Sequence, residues 1–273
     1  MTLNCKGTLI DLTTPKVMGI LNITPDSFYD GGKYSDEKSI LDQVEKMLRE
    51  GATFVDVGAY SSRPGAAPIS EEEELRRMLP IVQILLKEFP EILLSIDTFR
   101  SGVAEACLHI GAAMVNDISA GRLDENMFTT VSKFKVPYIM MHMKGTPQNM
   151  QQQTEYNSLL EDILFYFSEQ MVKARAHKIN DIIVDPGFGF AKNIAQNYEL
   201  LQRMDWFQTL KVPILAGLSR KSMIYKILDS TPEQALNGTT ALNMLALSKS
   251  ANILRVHDVA PAMECVQLYN QLP

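Results

Sequence analysis

The chain has 273 residues, of which 46% are hydrophobic, and its formal net charge is −6. This length suits one domain with a full apolar core, and an acidic chain without clustered Lys and Arg gives no sign of nucleic-acid binding. No apolar stretch approaches the roughly 18 residues of a membrane span, and the first residues, MTLNCKGTLIDL, do not follow the pattern of a signal peptide. We therefore predict a cytoplasmic protein of one domain, residues 1–273, that binds neither nucleic acid nor membrane. The three cysteines lie far apart without CxxC spacing, so neither a disulfide framework nor a thiolate metal site is indicated.

Eight short apolar runs alternate with segments of helical periodicity. A parallel strand that is buried on both faces reads as a continuous run of Val, Ile and Leu. The predicted strands are Lys16–Asn22, Phe54–Gly58, Leu93–Thr98, Met114–Ser119, Pro137–His142, Asp181–Asp185, Val212–Leu218 and Ile253–Asp258. The predicted helices lie close to Lys38–Glu50, Ser70–Phe89, Gly102–Ile110, Glu125–Phe134, Glu155–Lys178, Ala195–Leu210, Thr231–Lys249 and Pro261–Gln271. Before the first strand, LNCKGTLIDL predicts a β-hairpin that plugs the bottom of a barrel.

A polar residue stands at or near the end of each apolar run, where packing gives it no use. These residues are Asn22, Asp56, Asp97, Asn116, His142, Asp185, Ser219 and Arg255 with His257. In a (β/α)8 barrel the active site lies at the carboxyl ends of the strands. The pattern therefore predicts an α/β fold of this type, a (β/α)8 TIM barrel, with a site rich in oxygen and nitrogen groups.

Two helix starts carry capping signals. Ser70 with Glu73 predicts a capping box. The acidic run Glu71–Glu74 complements the helix dipole and is interpreted as a solvated helix start. The segment TPEQ from Thr231 predicts the start of the helix that runs to Lys249.

Carboxylates and amides at the strand ends form one constellation. Asp56, Asp97 and Asp185 lie in or end apolar runs, where a carboxylate is costly unless it is hydrogen-bonded or paired. Their convergence predicts recognition of a ring rich in hydrogen-bond donors, with a structural role left open for Asp56. Asn116 and Asp117 are adjacent and must point in opposite directions. We expect Asn116 to line the mouth of the barrel and Asp117 to brace a neighbouring loop.

The ends of the seventh and eighth strands carry cationic groups. The run Ser219–Ser222 and the pair Arg255 and His257 lie where a barrel commonly binds phosphate, so they predict a site for a phosphorylated group. The alternative is that Arg220 and Lys221 are surface charges at a helix start, where the dipole disfavours cations. The four histidines do not form a metal site. A magnesium ion shared with phosphate stays open, because magnesium needs few protein ligands.

Eight segments, in the order of the chain, are more specific than any single residue. They are LNITPDSFYDGGKY from Leu21, SSRPGA from Ser61, SIDTFR from Ser95, VNDIS from Val115, MHMKGTPQNMQ from Met141, DPGFGFAK from Asp185, GLSRKSM from Gly217 and RVHD from Arg255. Together they resemble the dihydropteroate synthase family. That family condenses dihydropterin-CH2-pyrophosphate with p-aminobenzoate in folate biosynthesis and is the target of sulfonamides. The resemblance implies a transferase with a pterin-binding barrel, magnesium and a homodimeric assembly.

The resemblance also implies a role for each matching residue. The pterin ring would contact Asp97, Asn116, Ile118, Met141, Asp185, Lys221 and Arg255, with Arg255 stacked over it. p-Aminobenzoate would contact Ser62, Arg63, Pro64, Phe190, Lys221 and Ser222. The diphosphate would contact Asn22, Arg63, Ser219, Arg255 and His257, with magnesium on Asn22. The catalytic residues would be Asn22, Phe28, Asp30, Lys221, Arg255 and His257, and the loops 24–34 and 61–65 would close over bound diphosphate.

The resemblance leaves one position and two alternative functions open. In the segment that contains Ala59, Tyr60 and Ser62, many relatives have the sequence Gly-Glu-Ser-Thr. Tyr60 removes the carboxylate of that sequence, so no role is assigned to it. Methyltetrahydrofolate:corrinoid methyltransferases share the pterin-binding barrel, but the TPDSF, SSRP and SRKS segments favour the synthase. A non-catalytic pterin-binding protein is the other alternative, and the retained anion-binding residues disfavour it. For the chemistry, we expect diphosphate to depart first and the arylamine to attack afterwards, without a basic side chain to activate it.

Overall fold

The computed structural model describes residues 1–23, 33–61 and 67–272, with the backbone alone for residues 33–36. The strands in these ranges are β1 Thr2–Cys5, β2 Thr8–Asp11, β3 Lys16–Asn22, β4 Phe54–Gly58, β5 Leu94–Asp97, β6 Met114–Asp117, β7 Tyr138–Met141, β8 Ile182–Asp185, β9 Leu215–Ala216 and β10 Ile253–Val256. The α-helices in these ranges are α1 Lys33–Arg49, α2 Glu71–Glu88, α3 Ser101–His109, α4 Met127–Phe134, α5 Leu159–Ala176, α6 Ile194–Gln202, α7 Ser222–Tyr225, α8 Leu236–Ser248 and α9 Val259–Tyr269. No helix in the described part of the chain has both the length and the apolar composition that a membrane span needs.

Eight of the strands form one parallel sheet that closes on itself. Their order around the sheet is β8-β7-β6-β5-β4-β3-β10-β9. β8 and β9 complete the circle through a parallel bridge between Val184 and Ile214, and the Val184 N–H donates to the Pro213 carbonyl at 3.0 Å. With helices between successive strands, this closed sheet confirms the predicted (β/α)8 barrel.

The lower interior of the barrel is an apolar layer at the amino ends of the strands. Because side chains alternate along a strand, one residue of each strand points inward at this level. The layer contains Met18, Phe54, Met114, Ile139, Ile183, Leu215 and Ile253. β1 and β2 pair in antiparallel fashion, and Leu3, Cys5 and Leu12 from this hairpin pack into the same cluster. The hairpin therefore closes the bottom of the barrel, as the sequence predicted.

The outward faces of the strands pack against the helices. Val55, Ile96 and Val115 belong to a second, larger cluster that also contains Met78 and Val82 of α2. Each of these five side chains is fully buried. Burial on both faces explains why the strands read as apolar runs and not as an alternation of apolar and polar residues, apart from the polar residues near their carboxyl ends.

Strand bounds agree with the predictions best at β3 and β4, which have the predicted limits. β9 is much shorter than the predicted Val212–Leu218, because Pro213 has no N–H to donate to a ladder. α8 begins at Leu236 and not at Thr231. The Gln234 N–H instead donates to the Thr231 carbonyl at 3.1 Å, which makes a turn ahead of the helix.

The start of α2 forms only half of the predicted capping box. Ser70 Oγ accepts a hydrogen bond from the Glu73 N–H at 3.2 Å, so the predicted N-cap is present. The Glu73 carboxylate does not return to the backbone of Ser70. It accepts instead from Arg76 Nε at 2.7 Å and from Arg77 Nε at 2.6 Å.

Glu74 corrects the interpretation of the acidic run as a solvated helix start. Its side chain is fully buried, because this face of α2 packs on the end of β5. There the Glu74 carboxylate accepts from Thr98 Oγ1 at 2.7 Å and pairs with the Arg100 guanidinium. Arg100 also donates to the Ile69 carbonyl at 2.7 Å, so this ion pair ties α2 to the segment that precedes it.

Candidate active site

The upper interior of the barrel, which we call the mouth, is formed by inward side chains at the carboxyl ends of the strands. They belong to Asn22, Asp56, Asp97, Asn116, Met141, Asp185 and Arg255, and Gly217 follows β9 without a side chain. The strand register places Asp97 beside Asn116 and Met141 beside Asp185. The parallel sheet thus brings together polar residues that are more than 200 positions apart in the sequence.

Arg255 joins two carboxylates on one side of the mouth. Its Nε donates to Asp56 Oδ2 at 2.6 Å, and its second terminal nitrogen donates to Asp97 Oδ2 at 2.6 Å. Asn116 Nδ2 donates to the same Asp56 oxygen at 2.9 Å. One guanidinium cannot neutralise two carboxylates, and loss of solvent raises the pKa of Asp97 from 3.8 to about 7. Asp56 Oδ1 is buried and has no hydrogen-bond partner in the described part of the chain.

Asp185 and Lys221 form the opposite side of the mouth. Asp185 Oδ1 accepts from the Gly187 N–H at 2.8 Å, while the Lys221 ammonium donates to the Phe188 carbonyl. A Cβ atom added at Gly217 would lie 3.7 Å from Lys221 Nζ and 3.8 Å from Asp185 Oδ2, so both groups border the space above this glycine. Burial raises the pKa of Asp185 and lowers that of Lys221 to about 8. An acceptor and a donor therefore converge on one small space.

An apolar wall adjoins these polar groups. It is a cluster of Ile118, Met141, Met143, Met150 and Ala191, with Phe99 and Phe190 packed against it. The Phe190 ring centroid lies 5.1 Å from Lys221 Nζ, within reach of a cation–π interaction. Apolar faces beside convergent donors and acceptors suit a flat heteroaromatic ligand.

Ser219 and His257 form the third part of the mouth. Ser219 Oγ lies 2.9 Å from His257 Nδ1 and accepts from the His257 backbone N–H at 3.2 Å. Ser219 thus fixes the His257 imidazole at the rim through two contacts, and a ring N–H of histidine can donate to an anion.

Arg220 corrects the prediction that the whole Ser219–Ser222 run faces an anion. Its backbone is in the left-handed region, with φ +55°, and its guanidinium forms two bonds to Asp258, at 2.8 and 2.9 Å. The same guanidinium donates to the Pro232 and Glu233 carbonyls at 2.9 and 2.7 Å. These contacts make Arg220 a brace between loops outside the mouth.

Comparison with known proteins decides the family. The family model described as pterin binding enzyme matches residues 18–257. The dihydropteroate synthase of Escherichia coli K12 is 38% identical over 270 residues, which cover 98% of this chain and 95% of that protein. The chain belongs to the dihydropteroate synthases of the pterin-binding enzyme family. The resemblance that the sequence segments carry is thereby confirmed.

Two solved structures extend this similarity to the fold. The dihydropteroate synthase of Yersinia pestis, in complex with a sulfonamide drug, is 40% identical and superposes with a TM-score of 0.92 over 99% of this chain and 98% of that one. The Xanthomonas albilineans dihydropteroate synthase, solved with 4-aminobenzoic acid, is 36% identical with a TM-score of 0.92 over 100% of this chain and 99% of that one. The barrel is therefore that of the dihydropteroate synthases along nearly its whole length.

Several predicted site residues lie outside the described residues. They are Phe28 and Asp30 of the first loop and Ser62, Arg63 and Pro64 of the second. Among the described ones, Ser222 begins α7 beside Lys221, and Asn22 ends β3 half-buried. The assignment of these residues to substrates and to magnesium stays a prediction.

The parity argument for β6 agrees with the geometry. Asn116 points into the mouth, whereas Asp117 points outward and accepts from the Ser119 N–H at 2.7 Å, the Gly121 N–H at 2.8 Å and the Tyr138 hydroxyl at 2.5 Å. Asp117 thus braces the loop after β6, which is the role expected for it.

Two features near the mouth escaped the sequence analysis. Lys192, the last residue of the segment DPGFGFAK, is 4% exposed, and its ammonium lies 3.1 Å from His142 Nδ1. Tyr60, to which no role was assigned, accepts a hydrogen bond from Gln148 Nε2 at 2.8 Å. A lysine inside a segment of apolar and glycine residues was the one available signal for the first, since a lysine is seldom buried without partners.

Proposed function

We propose that this chain condenses a dihydropterin carrying a methylene diphosphate with p-aminobenzoate, giving dihydropteroate and diphosphate. The observation that carries the proposal is the similarity to dihydropteroate synthases over 98% of the chain. The mouth supports it with groups that such a reaction needs. Hydrogen-bond donors and acceptors can bind the edge of a ring, and the apolar wall can cover its face. Cationic side chains can bind an anion.

The pterin ring is the ligand proposed for the space between Asp185, Asn116 and Lys221. Pterin presents both donors and acceptors along its edge, and the two sides of the mouth offer carboxylates, an amide and an ammonium. Ile118 and Met141, at 6% and 3% exposure, would cover the faces of the ring. Each hydrogen bond in such a buried pocket is worth about 1–3 kcal/mol when its loss leaves a partner unsatisfied.

Arg255 is proposed to stabilise the charge that develops on the departing diphosphate. Asp56 and Asp97 hold its guanidinium at 2.6 Å on two nitrogens, so its plane is fixed before substrate binds. A preorganised cation needs no reorganisation as charge develops, which is the source of its effect on the barrier. Stacking of Arg255 over the ring stays a prediction alongside this role.

A magnesium ion fits the chemistry of the residues at the rim. The described residues include no group of three or more His, Cys, Asp or Glu side chains that would hold a metal by themselves. Magnesium commonly takes one or two protein oxygens together with substrate phosphates, and the half-buried amide of Asn22 at the end of β3 suits that pattern. When bound there, the ion would neutralise charge on the diphosphate.

The order of bond changes follows from the weak nucleophilicity of an arylamine. The bond from the pterin methylene to diphosphate oxygen breaks first, and its electron pair leaves with the diphosphate. Arg255 and a ring N–H of His257 stabilise the leaving charge, while the carboxylate of Asp185 favours the cation delocalised over the ring. The amine nitrogen then forms the C–N bond and releases one proton to solvent.

The p-aminobenzoate pocket is proposed to lie beside Phe190, Lys221 and Ser222. The Phe190 ring next to the Lys221 ammonium, 5.1 Å away, offers an apolar face and a positive charge for a benzoate. The relative from Xanthomonas albilineans that was solved with 4-aminobenzoic acid supports this ligand. The other residues predicted to contact p-aminobenzoate lie outside the described residues; they are Ser62, Arg63 and Pro64.

Turnover of isotope-labelled p-aminobenzoate tests the function. The purified chain, with magnesium and the dihydropterin diphosphate, should form labelled dihydropteroate and one diphosphate per label. A Lys221→Met variant should lose this turnover. The matched control Lys249→Met should keep it, because Lys249 pairs with Asp205 at 3.2 Å on the surface. A folded parent chain without product would contradict the proposal, and methyl transfer from methyltetrahydrofolate would favour the corrinoid methyltransferases.

The homodimer and the cytoplasmic location complete the proposal. Both follow from membership of the family and not from a contact in this chain. Light scattering during size-exclusion chromatography should give twice the monomer mass of 30.6 kDa. A monomeric peak that retains turnover would remove the dimer from the account.

A further inference from the structure

Lys192 lies at the end of the loop between β8 and α6, where its side chain is almost fully buried. Its Nζ donates to the Gly187 carbonyl at 3.0 Å and to the Phe190 carbonyl at 3.0 Å, and it lies 3.1 Å from His142 Nδ1. An ammonium has three N–H donors, and these contacts supply three acceptors. Buried charge is tolerated under these conditions, because each proton has a partner.

His142 supplies the third acceptor from the neighbouring strand end. Burial first, and then the positive charges of Lys192, Lys144 and Arg122, hold its pKa well below the ordinary value of 6.5. The ring is therefore neutral, and Nδ1 accepts while Nε2 carries the proton. The His142 backbone N–H also donates to the Asp185 carbonyl at 2.9 Å. Lys192 thus connects the end of β7 to the loop that follows β8.

The loop held by Lys192 is the same one that contacts Lys221. The Phe188 carbonyl accepts from the Lys221 ammonium. In the sequence, Phe188 falls between Gly187 and Phe190, whose carbonyls accept from Lys192. Gly187 has a φ of +74°, and a Cβ there would collide with the His142 carbonyl, so the loop sits tightly against β7. The location of Phe188 and Phe190 therefore depends on this packing.

We propose that Lys192 is a positioning residue for the reaction: through the Gly187–Phe190 loop it holds the Phe188 carbonyl and the Phe190 ring against Lys221. This inference rests on the proposed function, in which the Lys221 ammonium contacts both substrates. Lys192 itself touches neither substrate in this account. It acts by keeping the Lys221 ammonium beside Asp185 and above Gly217.

Electrostatics connect the two lysines as well. Burial lowers the pKa of Lys192 to about 7, opposed by Asp185 and assisted by the charges of Lys221 and Lys144. For Lys221, burial lowers the pKa to about 8, Asp185 opposes this, and Arg255 assists it. Because Lys192 titrates below Lys221, its charge is largely lost before Lys221 titrates, so Lys192 affects the Lys221 pKa mainly through the packing of the loop. A loop released from β7 would expose Lys221 to water and so raise its pKa toward the ordinary value, because burial is the largest cause of its lowering.

The test compares the parent with Lys192→Met, which keeps the length of the side chain but removes the charge and the donors. NMR titration of the Lys221 side chain, without substrate, should show its pKa moving from about 8 toward the ordinary 10.5. kcat/KM for the pterin substrate should fall about 100-fold, the effect expected when a catalytic group is displaced by about 1 Å. The basic limb of the kcat/KM profile should move to higher pH together with the pKa of Lys221.

Tyr166→Phe is the matched control. Its hydroxyl is buried in the same region and donates to the Ser119 and Met141 carbonyls at 3.0 and 3.1 Å, and neither of these acceptors belongs to the Gly187–Phe190 loop. This variant should lose thermal stability and keep the parental Lys221 pKa and pH profile. If Lys192→Met behaved in the same way, Lys192 would be purely structural and the proposal would be overturned.

Lys192→Arg covers the case in which the methionine variant does not fold. It retains the charge, but a planar guanidinium does not match three acceptors arranged around a compact ammonium. We expect kcat/KM to fall by about tenfold with the basic limb near its parental pH. Parental kcat/KM in that variant would overturn the inference. An inactive parent would refute the function alone, because the Lys221 titration needs no turnover.

Discussion

The two ends of the barrel use the same eight strands for opposite purposes. On β8, Ile183 belongs to the apolar layer at the bottom, and Asp185, two residues further along, lies in the mouth. On β10, Ile253 and Arg255 repeat this relation. Side chains at i and i+2 point to the same face of a strand. Two residues along one strand can therefore place one side chain in the apolar core and the next in the active site.

The difference between the ends is energetic as well as chemical. At the bottom, burial of Phe54 and its neighbours removes apolar surface from water, which stabilises the fold by about 25 cal/mol per Å². In the mouth, burial raises the pKa values of Asp97 and Asp185 and lowers that of Lys221, so each ionised group is disfavoured there. The stabilisation from apolar burial at the bottom therefore offsets the cost of burying the charged groups of the mouth, which serve binding and catalysis.

Arg255→Ala should give the largest effect and the clearest exception to the division between the two ends, because this residue of the mouth also stabilises the fold. Its loss leaves the buried Asp56 and the half-buried Asp97 without a counter-charge, so the free energy of unfolding should fall by about 3 kcal/mol or more at pH 8. The fall should be smaller at pH 5, where Asp97 is protonated. Denaturant titration at both pH values measures it. Arg220→Ala, which breaks a partly exposed pair with Asp258, is the control and should cost less and show no such pH dependence.

The pH dependence of stability should reveal the cost of Asp97. Its pKa is 3.8 unperturbed and about 7 in the fold, so between these values the folded protein binds a proton that the unfolded chain has released. Stability from this group is therefore present at low pH and is lost as pH rises from about 4 to about 7. Unfolding of Asp97→Asn over this range should show a flatter dependence than the parent. Parallel curves for the two proteins would mean that Asp97 is ionised throughout.

Tyr60→Phe should have the smallest effect. It tests whether the Tyr60–Gln148 contact belongs to the mouth or lies outside it. Among the described residues the hydroxyl bonds Gln148, which is exposed, while the ring remains packed edge-on against Phe99 at 5.1 Å. Its removal should change the free energy of unfolding by less than about 0.5 kcal/mol. KM for the pterin substrate should rise by no more than a fewfold, measured against Tyr198→Phe on α6. A loss of turnover above tenfold would make the Tyr60–Gln148 contact part of the site.

The sequence predicted the elements whose signal is local. The limits of β3 and β4 were predicted correctly, because each short, mostly apolar run ends at a polar or glycine residue, Asn22 and Gly58. The opposite directions of Asn116 and Asp117 followed from strand geometry alone. The chemistry at the mouth was indicated by the polar residues near the strand ends.

Contacts between distant segments were beyond a single sequence. Nothing near Glu74 indicates that Arg100 would pair with it in the interior, and nothing near Arg220 indicates its bonds to Asp258. Lys192 is the sharpest case, since its acceptors include a histidine 50 positions earlier. These partners become neighbours only after the barrel closes, so their roles depend on tertiary structure.

Ile183→Ala and Asp185→Asn, measured side by side, test the division between the two ends most directly. Both residues face inward from β8, and the two quantities are the free energy of unfolding and the pterin dissociation constant by calorimetry. Ile183→Ala should lose about 2–5 kcal/mol of stability with pterin affinity unchanged. Asp185→Asn should lose about 2 kcal/mol of pterin affinity with stability equal to or above that of the parent. Unchanged affinity in Asp185→Asn, or a binding loss of the same size in Ile183→Ala, would contradict this division.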